Sequence, residues 1–173
     1  MRSASHREKS LHITGLMLDL KPATTSSPII VGSLLIGADE MVAEMVCKRV
    51  PHLHGGFGDK CVAFGIIDKG KLIGGVVFDN YRDFDIYVTV AMDQQGFVGR
   101  DTIRALFEYP FEQLGVKRIT SITGRKNKKA RKALKVLGFK LEGVHPRGLD
   151  GREDAISYGM LREHCKWLRS EHV

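Results

Sequence analysis

A glycine-containing loop separates an apolar segment from an amphipathic segment near the middle of the chain. The apolar segment is Asp85–Met92, the loop is Gln94–Gly99, and the amphipathic segment begins at Arg100. A helix that begins directly after such a loop directs unpaired backbone N–H groups, and the positive end of its dipole, toward the loop. This arrangement predicts an anion site suited to a pyrophosphate, with a plain strand-to-helix turn as the alternative.

A dense basic segment lies between Arg125 and Lys135, where seven of the eleven residues are Lys or Arg. On a helix, four of these side chains would share one face: Lys128, Arg131, Lys132 and Lys135. The face has three interpretations, which are a patch for a cofactor phosphate, a contact with nucleic acid or a ribonucleoprotein, and a solvated surface. No aromatic residue interrupts the segment, which argues against stacking on single-stranded bases.

The hydrophobic periodicity predicts the elements that must position these residues. In the first half it predicts one buried strand over Ile29–Ile36, a helix from Asp39 that ends before Pro51, and strands at 61–68, 71–79 and 85–92. The first two strands of that trio form a hairpin through the turn Asp68–Lys71.

In the second half the apolar spacing becomes helical. It predicts a helix from Gly99 to Gly115, a strand at 117–123, a helix from Asn127 that Gly138 ends, and strands at 139–144 and 154–161. The order of the elements predicts a mixed α/β fold around one central sheet.

The first 27 residues are predicted to form an arm and a linker ahead of a single domain at 28–173. Residues 1–10 are polar, and the alternating apolar pattern of Leu11–Leu20 predicts an added strand. The segment Lys21–Pro28 is rich in Thr, Ser and Pro, which is typical of a linker.

The composition indicates a globular protein with an anionic partner. The 173 residues are 43% hydrophobic and 27% charged, and the formal net charge is +7. The longest apolar run, Pro28–Gly37, is about half of a bilayer span, so no membrane association is expected. Three separated cysteines and the lack of a signal sequence predict reduced thiols and a cytoplasmic location.

A second motif begins at Asn127, with Ala130 three residues later, and continues in Leu137–Gly143 (LGFKLEG). Together with the basic helix-to-strand segment that precedes it in the chain, this pattern resembles the GNAT superfamily of N-acetyltransferases. The resemblance covers about Ile29 to Leu168. It is closest to the branch that acetylates ribosomal-protein N-termini and to the short phage-encoded relatives of that branch.

The resemblance implies a fold, an activity and a cofactor. The fold is a central, mostly antiparallel, twisted sheet that is splayed at the cofactor site and has helices on both faces. The activity is direct transfer of an acetyl group from acetyl-CoA to an amine of a protein or small molecule, by a monomer or a homodimer. No metal is expected, because His52 and His54 have no further ligands at regular spacing.

The family's motifs also assign cofactor contacts. The pyrophosphate loop would begin at Gln94 and end at Gly99, with Phe97 in place of the family's middle glycine. The pantetheine arm would bond to the end of the preceding strand. The full set of implied contacts is Val90, Ala91, Met92, Gln94, Gly96, Phe97, Val98, Gly99, Arg100, Asn127, Ala130 and Lys132.

The catalytic groups follow from the needs of acetyl transfer, in which a base removes a proton from the attacking amine. Asp79 and Asp85 are the candidate bases, and Tyr81, Tyr87 and Tyr158 are candidate proton donors. Each of them has a structural alternative, as a turn residue or as strand packing. Leu134 occupies the position where many family members have a tyrosine that serves as general acid. Together with Phe97 it favours a second hypothesis, a catalytically weak or inactive GNAT-fold binding module that acts on a host protein or nucleic acid through its basic helix.

Overall fold

The computed structural model describes residues 10–13, 16–19, 27–53, 55–58, 60–93 and 98–168. Its strands are β1 Ser10–Ile13, β2 Leu16–Asp19, β3 Ile29–Val31, β4 Leu34–Ile36, β5 Val62–Asp68, β6 Lys71–Asp79, β7 Asp85–Met92, β8 Arg118–Gly124, β9 Lys140–His145 and β10 Ala155–Leu161. Its helices are α1 Asp39–Arg49, α2 Arg100–Glu108 and α3 Lys128–Leu137. A π-helical turn, Tyr109–Leu114, extends α2, and a 3₁₀ turn, Arg162–His164, follows β10.

Eight strands form the central sheet in the order β3-β4-β5-β6-β7-β8-β10-β9. Neighbouring strands are antiparallel except for β7 and β8, which are parallel. A parallel pair needs a crossover connection, and α2 with its π-helical turn supplies it. The predicted mixed α/β architecture with a mostly antiparallel sheet is therefore confirmed.

Two predictions near the start of the chain need correction. Ile29–Ile36 is not one strand, because Gly32 has a φ of +58° and reverses the chain between β3 and β4. The added strand expected over Leu11–Leu20 is a two-stranded hairpin of β1 and β2, which pair with each other and not with the central sheet. Residues 1–9 and most of the predicted linker lie outside the described residues.

Helices cover both faces of the sheet, as predicted. On one face α1 packs on β5, β6 and β7, and Gly75 makes this approach possible. A Cβ at Gly75 would lie 2.7 Å from Val42 Cγ1 and 2.8 Å from Val46 Cγ2. On the other face the larger core cluster joins side chains of α2, its π-helical turn and α3 to the sheet.

The pairing of β7 with β8 covers only three residue pairs, from Asp85↔Arg118 to Tyr87↔Thr120. Buried polar groups brace this short junction. The Thr120 hydroxyl donates to the Asp85 carboxylate at 2.9 Å, and both side chains are buried. The Arg118 guanidinium lies 3.4 Å from the same carboxylate and also donates to Thr120.

The brace extends to the edge of the sheet. Arg118 Nη2 donates to Glu142 Oε2 at 2.6 Å, although β10 lies between β8 and β9. Gly159 on β10 leaves room for this contact, because a Cβ there would lie 2.2 Å from Glu142 Oε1. The contacts from Asp85 through Arg118 to Glu142 therefore link β7, β8 and β9 at one end of the parallel pair.

We predict that Thr120→Val lowers the free energy of unfolding by about 1–3 kcal/mol, because the buried Asp85 carboxylate loses a donor while the side-chain shape is kept. Urea titration of the two proteins measures this difference. Thr89→Val on β7 is the matched control, because Thr89 is only partly buried and no large change is expected there. Equal stabilities for Thr120→Val and the parent protein would contradict a structural role for this hydrogen bond.

Candidate functional site

The pairing of β7 with β8 ends before either strand does, and the space between their unpaired ends is called the cleft below. Past Tyr87, β7 stays paired with β6 up to Met92↔Gly74. Past Thr120, β8 instead follows β10 up to Gly124↔Ala155. Because the two parallel strands follow different neighbours, their carboxyl ends diverge, and this is the position where α/β sheets bind ligands.

The edge of β7 offers free backbone groups to this cleft. The Phe84 carbonyl accepts hydrogen bonds from Lys117 and Arg118 on the β8 side, whereas the Asp93 N–H donates to Ile73 on the β6 side. Strand alternation therefore turns the backbone N–H and C=O groups of Val90 and Met92 toward β8, beyond the point where β8 can pair with them.

The start of α2 lies at the end of β7. Gly99 is the N-terminal flanking residue, with φ −61° and ψ 153°, and it has no side chain with which to cap the first turn. A Cβ at Gly99 would meet no heavy atom of the described residues within 4 Å. The predicted loop residues Gln94, Gly96 and Phe97 lie outside the described residues, while Val98 and Arg100 flank Gly99 as predicted.

An ion pair fixes the strand end that leads into this loop. The Arg49 guanidinium at the end of α1 donates two hydrogen bonds to the two carboxylate oxygens of Asp93, which directly follows β7. Because of this guanidinium, the pKa of the Asp93 carboxyl lies below its usual value. Sequence reasoning did not identify this pair, since the two residues are far apart in the chain and belong to different motifs.

The start of α3 lies at the end of β8, so it faces the same end of the sheet. Asn127 is its N-cap, and its side-chain oxygen accepts a hydrogen bond from the Ala130 N–H at 3.1 Å. The residues just before the helix are held from the β9–β10 connection. Glu153 accepts from the Lys126 N–H at 2.7 Å, and Asp154 accepts from the Arg125 guanidinium at 3.0 Å.

The side chains of α3 divide into an inner and an outer set. Leu134 is buried in the larger core cluster, so the position of the family's tyrosine acid is occupied by packing. Arg131 turns inward and donates to the Tyr158 hydroxyl at 3.3 Å and to the Arg125 carbonyl at 2.9 Å. Lys132 remains exposed on the outer side of the helix.

The candidate base Asp79 and the candidate donor Tyr87 are cross-strand partners on β6 and β7. Paired residues point to the same side of a sheet, so these two side chains are neighbours. Burial raises the pKa of Asp79 to about 6. Tyr87 accepts a hydrogen bond from Arg82 at 3.1 Å, and the guanidinium lies 5.3 Å from the centre of the tyrosine ring.

The other predicted catalytic residues lie in different surroundings. Asp85 is buried against Thr120 and Arg118 at the closed end of the cleft. The Tyr158 side chain is fully buried, and Tyr81 is 49% exposed in the β6–β7 connection. Sequence reasoning missed the brace on Asp85, because Arg118 and Thr120 belong to a strand that also contains Ser121 and Thr123 and nothing in its sequence marks their partner.

The described residues also bear on two further expectations. Among them, every helix falls short of the length and apolar character needed to cross a bilayer. His52 lies in the loop after α1, as expected, and His54 lies outside the described residues.

No protein-family model and no curated protein matches this sequence. Solved structures do match. A ribosomal-protein-S5-alanine acetyltransferase from Vibrio fischeri has a TM-score of 0.58 at 19% identity, covering 82% of this chain and 100% of that one. A GNAT-family acetyltransferase from Bacillus anthracis has a TM-score of 0.55 at 19% identity, covering 79% and 99%.

RimJ from Mycobacterium smegmatis, in complex with CoA-disulfide, has a TM-score of 0.51 at 19% identity, covering 60% of this chain and 54% of that one. At these identities the likeness concerns the architecture. The order of strands, the parallel pair β7–β8 and the helices on both faces give this chain the fold of the GNAT acetyltransferases.

Proposed function

We propose that this protein binds acetyl-CoA in the cleft between β7 and β8 and transfers the acetyl group to an amine. The observation that carries the proposal is the divergence of the only parallel strand pair in the described sheet, with a helix N-terminus following each of the two strands. The dipole gives each helix N-terminus a partial positive charge, and two such ends at one opening suit a ligand that carries several phosphate charges.

The residues at the cleft fit the parts of acetyl-CoA. The lack of a side chain at Gly99, where a Cβ would meet no described atom within 4 Å, favours close approach of a pyrophosphate to the start of α2. The free backbone groups of Val90 and Met92 can pair with the amides of a pantetheine arm as a further strand would. The side-chain oxygen of Asn127 accepts a hydrogen bond within α3. The N–H groups of its side-chain amide therefore remain to donate to the pantetheine arm. The RimJ structure, which contains CoA-disulfide, supports a coenzyme A ligand for this fold.

Acetyl transfer requires little beyond positioning and proton removal. Bound acetyl-CoA would supply a thioester. Attack of the neutral amine on its carbonyl carbon would form the amide as the C–S bond breaks, and the coenzyme A thiolate would leave and take up a proton from water. A backbone N–H of β7 that faces the cleft can donate to the carbonyl oxygen, as in other acyl-transfer sites. The protein must also hold the amine close to the carbonyl carbon, and this alone contributes much of the rate.

Asp79 is the base that we propose for this proton transfer. Its pKa of about 6 allows it to be ionised at neutral pH and still accept a proton effectively. Asp79 lies opposite Tyr87 on the neighbouring strand. Tyr87 is about 10 Å from Val90 along β7 at the usual rise of a strand. A proton from an amine near Val90 would therefore reach Asp79 through water. Asp85 is less suited, because its carboxylate is already engaged by Thr120 and Arg118.

The acceptor is an amine of a protein or a small molecule. One similar structure is that of an enzyme named for an alanine of ribosomal protein S5, and this supports a protein N-terminus as one candidate. The loops at 52–59, 78–84 and 146–153 are the segments that we expect to select it, because specificity is usually carried by loops on a rigid scaffold.

A second candidate function is binding of acetyl-CoA without transfer. Leu134 favours it, because this buried side chain provides no acid for the departing thiolate at the position where many GNAT enzymes have tyrosine. The two functions share the cofactor cleft and differ in whether coenzyme A is released.

The proposal predicts that acetyl-CoA at about 100 times its Kd stabilises the protein by about 2.7 kcal/mol. For a domain of this size the melting temperature should rise by about 5–10 °C. Gly99→Val should weaken this binding by about tenfold or more, because the side chain fills the space in front of α2. A thermal-shift titration measures both effects.

Gly55→Val is the matched control, since a Cβ at Gly55 also meets no heavy atom within 4 Å. Both variants should melt at the parent temperature without ligand. No stabilisation of the parent protein by acetyl-CoA would refute the proposed function. If acetyl-CoA stabilises the protein but no free coenzyme A is released when protein N-termini or polyamines are offered as acceptors, the second candidate function is supported.

Asp79→Asn is predicted to lower kcat/KM by about a hundredfold or more and to remove the decline of the rate below pH 6. The same variant should be more stable than the parent protein at pH 8 but not at pH 4. Because burial raises the folded-state pKa of Asp79 to about 6, the native protein loses stability as the pH rises from about 4 to 6 and this carboxyl ionises.

Asp68→Asn is the control for the same chemical change, because Asp68 is exposed at the β5–β6 turn, outside the loops that we expect to select the acceptor. Rate profiles and melting curves over pH 4–8 test both expectations. An unchanged rate profile for Asp79→Asn, combined with the predicted stability change, would rule out Asp79 as the base.

A further inference from the structure

The positive charge of this protein is concentrated in one segment. From Lys117 to Lys140 the sequence has ten Lys or Arg residues and no Asp or Glu. The chain as a whole has 27 basic and 20 acidic residues, so the remainder holds 17 basic against 20 acidic and is net negative. The molecule therefore has one strongly basic region rather than a generally basic surface.

The outer face of α3 is the centre of this region. Four exposed lysines lie on it: Lys128, Lys129, Lys132 and Lys135. Within the described parts of the chain, no acidic side chain forms an ion pair with any of the four. Lys128, Lys132 and Lys135 follow one stripe along the helix, which spans about 10 Å at the helical rise.

The first turn of α3 carries charge of the unfavourable sign. A helix N-terminus is the positive end of the dipole, and acidic residues there are stabilising. In α3 the first turn has no acidic residue and contains Lys128 and Lys129. The fold therefore keeps a cluster of like charges against the dipole, and a polyanion on this face would relieve the repulsion.

We propose that the outer face of α3 binds the phosphate backbone of a nucleic acid without reading its sequence. Nucleic-acid interfaces are polar and strongly positive, whereas protein interfaces need an apolar core. On the exposed side of α3, Ala133 and Val136 are the only apolar residues among the lysines, too few for such a core. A coenzyme phosphate needs two or three cations near Asn127 and does not account for a stripe that continues to Lys135.

The absence of aromatic residues in this segment favours a duplex, since single strands are bound through stacked bases. The exposed cations of this face are lysines, which are flexible point charges and not rigid bidentate donors, so we expect them to contact phosphates and not base edges. The inference does not depend on acetyl transfer, because it can be tested through Lys128 and Lys135, which are not among the cofactor contacts that the resemblance implies.

The test is a fluorescence-anisotropy titration of the full chain with a labelled duplex of about 20 base pairs, as DNA and as RNA, between about 50 and 200 mM salt. Lys128→Gln/Lys135→Gln is the test variant, and it leaves Lys132 for the cofactor. Lys69→Gln/Lys71→Gln, at the exposed β5–β6 turn, is the control with the same net charge.

The test variant should bind about tenfold or more weakly near 0.1 M salt, and the slope of log affinity against log salt should fall by about two. The control should retain the parent affinity and slope. Equal effects of the two variants would overturn the proposal, because binding would then follow net charge. Binding of poly-glutamate as tight as that of duplex would also overturn it, in favour of an acidic protein partner.

Discussion

The hydrogen bond from Thr120 to the buried Asp85 carboxylate, braced by Arg118, holds the two parallel strands together at one end. The rest of the site depends on the fact that the pairing of β7 with β8 ends at this contact. Beyond it β7 follows β6 and β8 follows β10, so the strands diverge and the backbone of Val90 and Met92 is left to bond a ligand. A buried carboxylate is costly unless it is paired, and here the pairing fixes the apex of the cleft.

The divergence also places two helix N-termini at one opening, because α2 and α3 each follow one of the two strands. Their positions are secured by contacts from distant parts of the chain. Arg49 holds Asp93 at the end of β7, while Glu153 and Asp154 hold the turn that precedes Asn127. The placement of the two helix N-termini is thus a property of the assembled sheet and not of either loop alone.

Much of this architecture could be predicted from local sequence, because apolar periodicity and turn residues act over short distances. The strand Asp85–Met92 and the helix between Asn127 and Gly138 were predicted nearly residue for residue. The β3–β4 hairpin was missed, since only two residues, Gly32 and Ser33, separate its two short apolar strands. The brace on Asp85 was missed because a hydrogen bond between residues 35 positions apart leaves no periodic signal.

The claim that the β7 edge receives acetyl-CoA can be tested amide by amide with hydrogen exchange followed by NMR. Addition of acetyl-CoA should slow exchange at the Val90 and Met92 amides, which face the cleft. The Thr89 and Ala91 amides, which face β6, should change little because they are already bonded within the sheet. Slowed exchange at all four residues alike, or at none of them in the presence of saturating ligand, would contradict the account.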